Sequence, residues 1–245
     1  MKICLKFIMI TTMSTFLYAS YDDALELYIS KGYQKSLDII AKELDIDKDM
    51  IPDSPNYNLR FLAAHNHWKL GNLQSAITHF KKCIEIKRDN VDPIIDLSML
   101  LVENRLFRDA RYYAKKALDL EEVPIVYYIL AKSALGLKKY STAKEYYEKA
   151  ISIKPEMGIS YNGLGIALMR LKRYSEANTA FSAALAIIPN SPEVLNNIGI
   201  CLEKAGNLDD ALRYVKKASV LNPNNPIIKK NLRQLRKNAI KDTGD

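Results

Sequence analysis

The residues of this chain with chemistry to offer are three histidines, a pair of asparagines one period apart, and a few acidic doublets. His65 and His67 stand two residues apart in a stretch patterned as a helix, so their side chains diverge by about 200° and cannot grip one metal ion. Chelation from a helix needs ligands at i and i+4 and a third ligand nearby. There is no glycine-rich phosphate loop, no G-x-S-x-G and no C-x-x-C. The doublets Glu121-Glu122 and Asp209-Asp210 fall where helix ends and turns are expected, and first-turn charge explains them better than acid–base catalysis does. These residues predict no enzyme, no metal site and no cofactor. Asn162 and Asn196 are different, because a side-chain amide can bond both the N–H and the C=O of an extended peptide.

The elements that position these residues are set by a fixed period. Ala143, Ala177 and Ala211 recur every 34 residues, as do Pro155, Pro189 and Pro223, and Ala150, Ala184 and Ala218. Tyr147, Phe181 and Val215 lie between them, and Tyr161-x-x-Leu164-Gly165 is followed one period later by Leu195-x-x-Ile198-Gly199. The pattern resembles the tetratricopeptide repeat, a 34-residue helix–turn–helix. The resemblance covers 57–225 as five repeats, 57–90, 91–123, 124–157, 158–191 and 192–225, preceded by a degenerate hairpin at 20–44 and a linker at 45–56. Val91–Val123 is one residue short and carries Ala114 where a large aromatic is usual, and Cys83 replaces a small residue in the 57–90 copy. The implied fold is all-α, a right-handed superhelical solenoid of about six hairpins with a C-terminal capping helix.

Close packing explains the pattern. Gly165 and Gly199 leave room for a partner helix, and Tyr147 and Phe181 fill the seams. Each hairpin buries its apolar face only by stacking on its neighbours. Proline at position 32 of the last three repeats, Pro155, Pro189 and Pro223, stops the second helix, since the residue before proline is pushed out of the α region. Pro226–Lys241 reads as the lid, with Ile227, Ile228, Leu232, Leu235 and Ile240 as its apolar stripe, and 226–245 forms a basic cap and tail.

The first helix of each hairpin lines the concave side in this family. The resemblance therefore implies contacts from Phe61, Trp68 and Tyr128 as aromatic anchors. It implies Lys132 and Arg170 as partners of an acidic group, and Asn162, Asn196 and Asn197 as a track for a peptide backbone. Some relatives clamp the acidic C-terminus of cytosolic heat-shock chaperones with a set of Lys, Asn and Arg that this chain does not reproduce.

Residues 1–19 read as a secretory signal: Lys2 and Lys6, then the mostly apolar Phe7–Tyr18, then Ala19-Ser20 as a cleavage point. The expectation is export to a periplasm, with a membrane-anchored form facing that compartment as the alternative. Cys83 and Cys201 are expected to be buried, unpaired thiols. Net charge is +8, and Lys229, Lys230, Arg233, Arg236 and Lys237 concentrate it near the C-terminus. That basic stretch suits either a solvated cap or an anionic membrane surface. No nucleic-acid reader motif appears. The expected role is a non-enzymatic protein–protein scaffold of the bacterial cell envelope. The alternatives are a membrane-tethered assembly factor or co-chaperone, and an accessory subunit of an envelope enzyme complex.

Overall fold

The computed structural model describes residues 20–44 and 56–242. Residues 1–19, read from sequence as a secretory signal, and most of the expected linker lie outside the described residues. Thirteen helices and no strand occur among those described. They divide into two compact units at Glu121/Glu122. Unit 1 holds α1 (20–29), α2 (Tyr33–Glu43), α3 (Asn56–Lys69), α4 (Leu73–Ile86), α5 (Asp92–Glu103) and α6 (Phe107–Leu120). Unit 2 holds α7 (Pro124–Gly136), α8 (Tyr140–Ile153), α9 (Gly158–Arg170), α10 (Tyr174–Ile187), α11 (Pro192–Lys204), α12 (Leu208–Leu221) and α13 (Pro226–Asp242). Asn56, placed in the linker by sequence, is instead the first residue of α3 and is buried.

Each hairpin turns the same way. The first helix ends on a residue with positive φ: Lys31, Gly71, Arg105, Lys138, Lys172 or Gly206. The next N–H then bonds back to a carbonyl five residues earlier, as in Asn72 to His67 at 2.8 Å and Arg173 to Leu168 at 2.9 Å. This is the Schellman closure, which satisfies carbonyls that the helix end orphans. Only two of the six positions are glycine; the other four are lysine or arginine, whose charge suits a helix C-terminus. Pro124, Pro192 and Pro226 each open a first helix, where the missing N–H is no loss.

The seams of unit 2 depend on glycine. A Cβ on Gly163 would overlap the Tyr147 ring, one on Gly165 would stand 2.6 Å from Phe181, and one on Gly199 would overlap Val215. Tyr147, Phe181 and Val215 are all buried. Tyr147 thus belongs to the seam between successive hairpins, with Ala131, Ala143 and Ala167 around it. Phe181 lies over its own hairpin's Gly165 and also joins the cluster of Val194, Ile198 and Cys201 from α11. The lid packs as its stripe implies through buried Ile228 and Leu235 and half-buried Leu232, against Leu195, Ala211, Val215 and Ala218. Ile227 departs from that stripe: it is 64% exposed, because Ile228, Leu232 and Leu235 at i, i+4 and i+7 define the buried face and Ile227 lies about 100° round the helix from Ile228. The side chain of Ile240 lies outside the described residues.

In unit 1, Ala24, Ile40, Leu59, Leu62 and Ala63 form the seam between the first two hairpins. A buried polar bridge crosses it. Ser36 donates to the Ala24 carbonyl at 2.7 Å, and Asn66 Nδ2 donates to Ser36 Oγ at 3.0 Å. Cys83 and Cys201 are buried and form no disulfide, each thiol donating to a carbonyl, of Tyr57 and Tyr174 respectively. Burial pushes the Cys201 thiol up, which keeps it in its unreactive form.

Candidate functional site

The first helices carry the side chains that sequence singled out, and the two units present them differently. In unit 1, the buried Phe80 of α4 roots an aromatic cluster on α3. Phe61, His65 and Trp68 have ring centroids 6.0, 5.3 and 6.1 Å from it. His65 meets Phe61 edge-on at 4.7 Å and stacks on Trp68 at 5.8 Å. Two carboxylates of α5 fix this row. Asp96 pairs with His65 Nε2 at 3.1 Å, and Glu103 accepts from Trp68 Nε1 at 2.8 Å. Phe61 and Trp68 are half-buried, rooted on one side and open on the other. Between α1 and α3 an open cleft of about 210 Å³ is lined by Tyr21, Leu25, Tyr28, Phe61, Leu62 and His65.

The remaining histidines have a different arrangement. His67 stacks on His79 at 5.5 Å, and burial holds His67 below the usual imidazole value. Among the described residues no group of three His, Cys, Asp or Glu side chains is placed to hold a metal ion.

In unit 2 the expected contact residues fall on α7, α9 and α11. Lys132 reaches over the Tyr128 ring, its Nζ 5.4 Å from the centroid, so this cation is partly engaged by its own neighbour. Tyr128 also meets Tyr147 edge-on at 6.1 Å. Arg170 is exposed at the last residue of α9. The asparagines are joined to one another. Asn197 Nδ2 donates to Asn162 Oδ1 at 3.0 Å, and Asn231 Nδ2 donates to Asn196 Oδ1 at 2.9 Å, while Asn196 is only 7% exposed. Asn238 donates to Glu203 at 2.9 Å in the same manner.

These bonds follow one rule that the sequence reading missed. Each joins residues 35 apart, as does Trp68 to Glu103. Adjacent first helices lie side by side with a one-residue offset, so position 5 faces position 6 of the next repeat and position 12 faces position 13. The signal was available as polar pairs spaced by the period plus one. Repeats compared at the period itself show only identical positions, which never face each other.

Tetratricopeptide repeat family models match residues 57–90 and 125–157, and residues 156–219, which together make up more than half of the chain. The chain belongs to the tetratricopeptide repeat family. Solved structures of the same fold include PilW, at 15% identity, covering 90% of this chain and 98% of that one with a TM-score of 0.75. PilF of Pseudomonas aeruginosa is similar at 14% identity, over 93% and 99% of the two chains, with a TM-score of 0.72. A MamA structure is similar at 23% identity, over 68% and 92%, with a TM-score of 0.58. No curated protein matches the sequence. At these identities the likeness is one of fold. Tetratricopeptide repeat folds generally serve as scaffolds for other proteins rather than as enzymes.

Proposed function

We propose that this tetratricopeptide repeat protein is a non-enzymatic scaffold that docks a segment of a partner protein along its first-helix faces. The cleft between α1 and α3 carries this reading, because it leaves half-buried rings open beside an apolar floor. Rigid aromatic side chains that are anchored on one side and open on the other are the usual energetic centres of protein contacts. Phe61 and Trp68 are the anchors of unit 1; Tyr128, Lys132 and Arg170 are the contact candidates of unit 2 taken by itself. Asn162 and Asn197 spend amide groups on each other and Asn196 accepts from Asn231, so these amides support the face they line. Among the similar structures, YrrB is titled a TPR protein with an unusual peptide-binding site, and PilW a type IV pilus biogenesis factor. A photocrosslinking residue at Phe61 should capture a discrete partner in intact cells, and one at Tyr112, exposed on α6, should not. Equal, diffuse labelling from both would overturn the docking face.

The compartment proposed is the bacterial cell envelope, reached through the Met1–Ser20 signal. Intact mass of the protein recovered from a periplasmic fraction tests it: a start at Ser20 is expected, and a cytosolic, full-length species would overturn it. A second reading rests on α13, where Lys229, Lys230, Arg233, Arg236 and Lys237 are all exposed. A helix buried on one face and cationic on the other fits contact with an anionic membrane surface. Sedimentation with anionic but not neutral vesicles is expected, and its loss on replacing these five by glutamine supports the helix as the contact.

A further inference from the structure

The charge of two helices beside the unit 1 cleft runs against the charge of the chain, while α3 itself carries Arg60 and Lys69 outside the cleft lining. The whole molecule is +8, yet α1 carries Asp22, Asp23 and Glu26 with no lysine or arginine, and α5 carries Asp92, Asp96 and Glu103 with none. The cleft between α1 and α3 is walled by the rings of Tyr21, Tyr28, Phe61 and His65 over Leu25 and Leu62. Tyr28 and His65 stand edge to face at 6.2 Å, so two of those rings are held at an angle around the space. Acidic groups reach the opening. Asp96, 29% exposed, lies 3.1 Å from His65 Nε2. It also adds to the burial and the Tyr33 contribution that hold the Tyr28 phenol up, and Asp22 adds to burial at Tyr21. None of the lining residues is a lysine or arginine.

An aromatic-walled slot with carboxylates at its mouth has a specific complement. A long side chain with an aliphatic stem and a cationic head buries its stem between rings while the head meets both π faces and a carboxylate. A neutral apolar side chain would fill the slot but leave the carboxylates unused, and an acidic one would be repelled by them. We infer that the α1–α3 cleft is a receptor for a lysine or arginine side chain of the docked segment. The head lies toward Asp96 and the stem between Tyr28 and Phe61. This inference rests on the docking reading above and assigns its partner's chemistry: a basic segment, engaged by unit 1.

Trp68 is the chain's one tryptophan and stacks on His65, so its emission reports occupancy of the cleft. The test titrates the purified protein with three synthetic peptides, free of tryptophan and tyrosine, that share an apolar sequence. They carry arginine, norleucine or glutamate at one central position. The arginine peptide should shift Trp68 emission at about tenfold lower concentration than the norleucine peptide, with the glutamate peptide weakest. Asp96→Asn, which keeps a hydrogen-bonding oxygen for His65, should remove most of that preference with circular dichroism unchanged. Leu25→Arg, which places a resident cation in the slot, should abolish it. Equal affinity for the arginine and norleucine peptides overturns the cation assignment and leaves segment docking standing. A preference for arginine that survives Asp96→Asn also overturns it. If no peptide perturbs Trp68, the cleft is not the receptor, and the Phe61 crosslinking experiment then decides separately whether docking occurs elsewhere on the face.

Discussion

The first-helix faces of the two units are built on one repeat but differ in chemistry. In unit 1 the bridges between successive first helices join an aromatic ring to a carboxylate, His65 to Asp96 and Trp68 to Glu103. In unit 2 two of them join amide to amide, Asn162 to Asn197 and Asn196 to Asn231. Charge varies from helix to helix within each unit: in unit 1 α5 is acidic without a basic residue and α3 holds Arg60 and Lys69 without an acid, while in unit 2 α7 and α9 each hold one cation and no acid and α11 holds Glu193, Glu203 and Lys204. The seams differ as well. Unit 2 seats Tyr147 and Phe181 on glycine, while in α6 of unit 1 the corresponding seam residue is the buried Ala114. The repeat thus fixes how helices stack and leaves the exposed face free to diverge. One unit became a tightly packed, amide-stitched support, and the other kept an open aromatic cleft.

The largest effect should come from breaking the close packing of unit 2. Gly163→Ala should lower stability by about 1–3 kcal/mol in denaturant unfolding, because its Cβ would meet the buried Tyr147 ring. The sign is the informative part. Alanine is the better helix former by about 1 kcal/mol, so a slack seam would make the same substitution stabilising. A measured gain in stability would show that Tyr147 yields, and the contrast between the units would then lose its basis in packing.

Next in size is the amide ladder. A double-mutant cycle of Asn162→Ala and Asn197→Ala should return a coupling of about 1 kcal/mol, the usual net value of such a hydrogen bond. Asn162→Ala paired with Asn231→Ala should return none, since Asn231 bonds Asn196. If the first pair is also uncoupled, these amides are not a structural stitch and return to the ligand-contacting role that their spacing first suggested.

Much of this fold was legible because repetition amplifies weak signals. A single Ala177 says little, but Ala143, Ala177 and Ala211 at one spacing give the helix pair, its register and its close-packed side. The capping helix followed from its apolar stripe. What stayed hidden was whatever depends on the offset between neighbours. The ladder at period plus one, the Ser36–Asn66 bridge and the Asp96 partner of His65 each join positions that the repeat pattern lists separately. Candidate contact residues such as Phe61 and Trp68 were singled out by type and position. The cleft beside them was not, because α1 belongs to the most degenerate hairpin and its Tyr21, Leu25 and Tyr28 match no family position.

The turns offer a smaller test shared by both units. Lys138 and Lys172 hold positive φ values of 61° and 62° where Gly71 and Gly206 do so without strain. Lys172→Gly should stabilise the protein by about 1 kcal/mol, relieving the left-handed conformation. Gly206→Lys should cost a similar amount. An unchanged transition midpoint in both variants would mean that the charge of the lysine at the helix terminus offsets the strain.

The smallest expected effect separates the units by pH. All three histidines belong to unit 1. Burial disfavours the charged form of His67 and lowers its value below the ordinary 6.5, and the stacked His79 ring lies 5.5 Å away. Below pH 6.5 the unfolded chain therefore takes up a proton that the folded chain still refuses. Stability contributed by neutral His67 is complete above that pH. It declines as pH falls from 6.5 toward the folded value, and it levels off once both states are protonated. The melting temperature read by Trp68 emission should fall between pH 7.5 and 5.5, and His67→Gln should flatten that fall. A decline that persists unchanged in His67→Gln would move the acid response away from His67 to another titrating group.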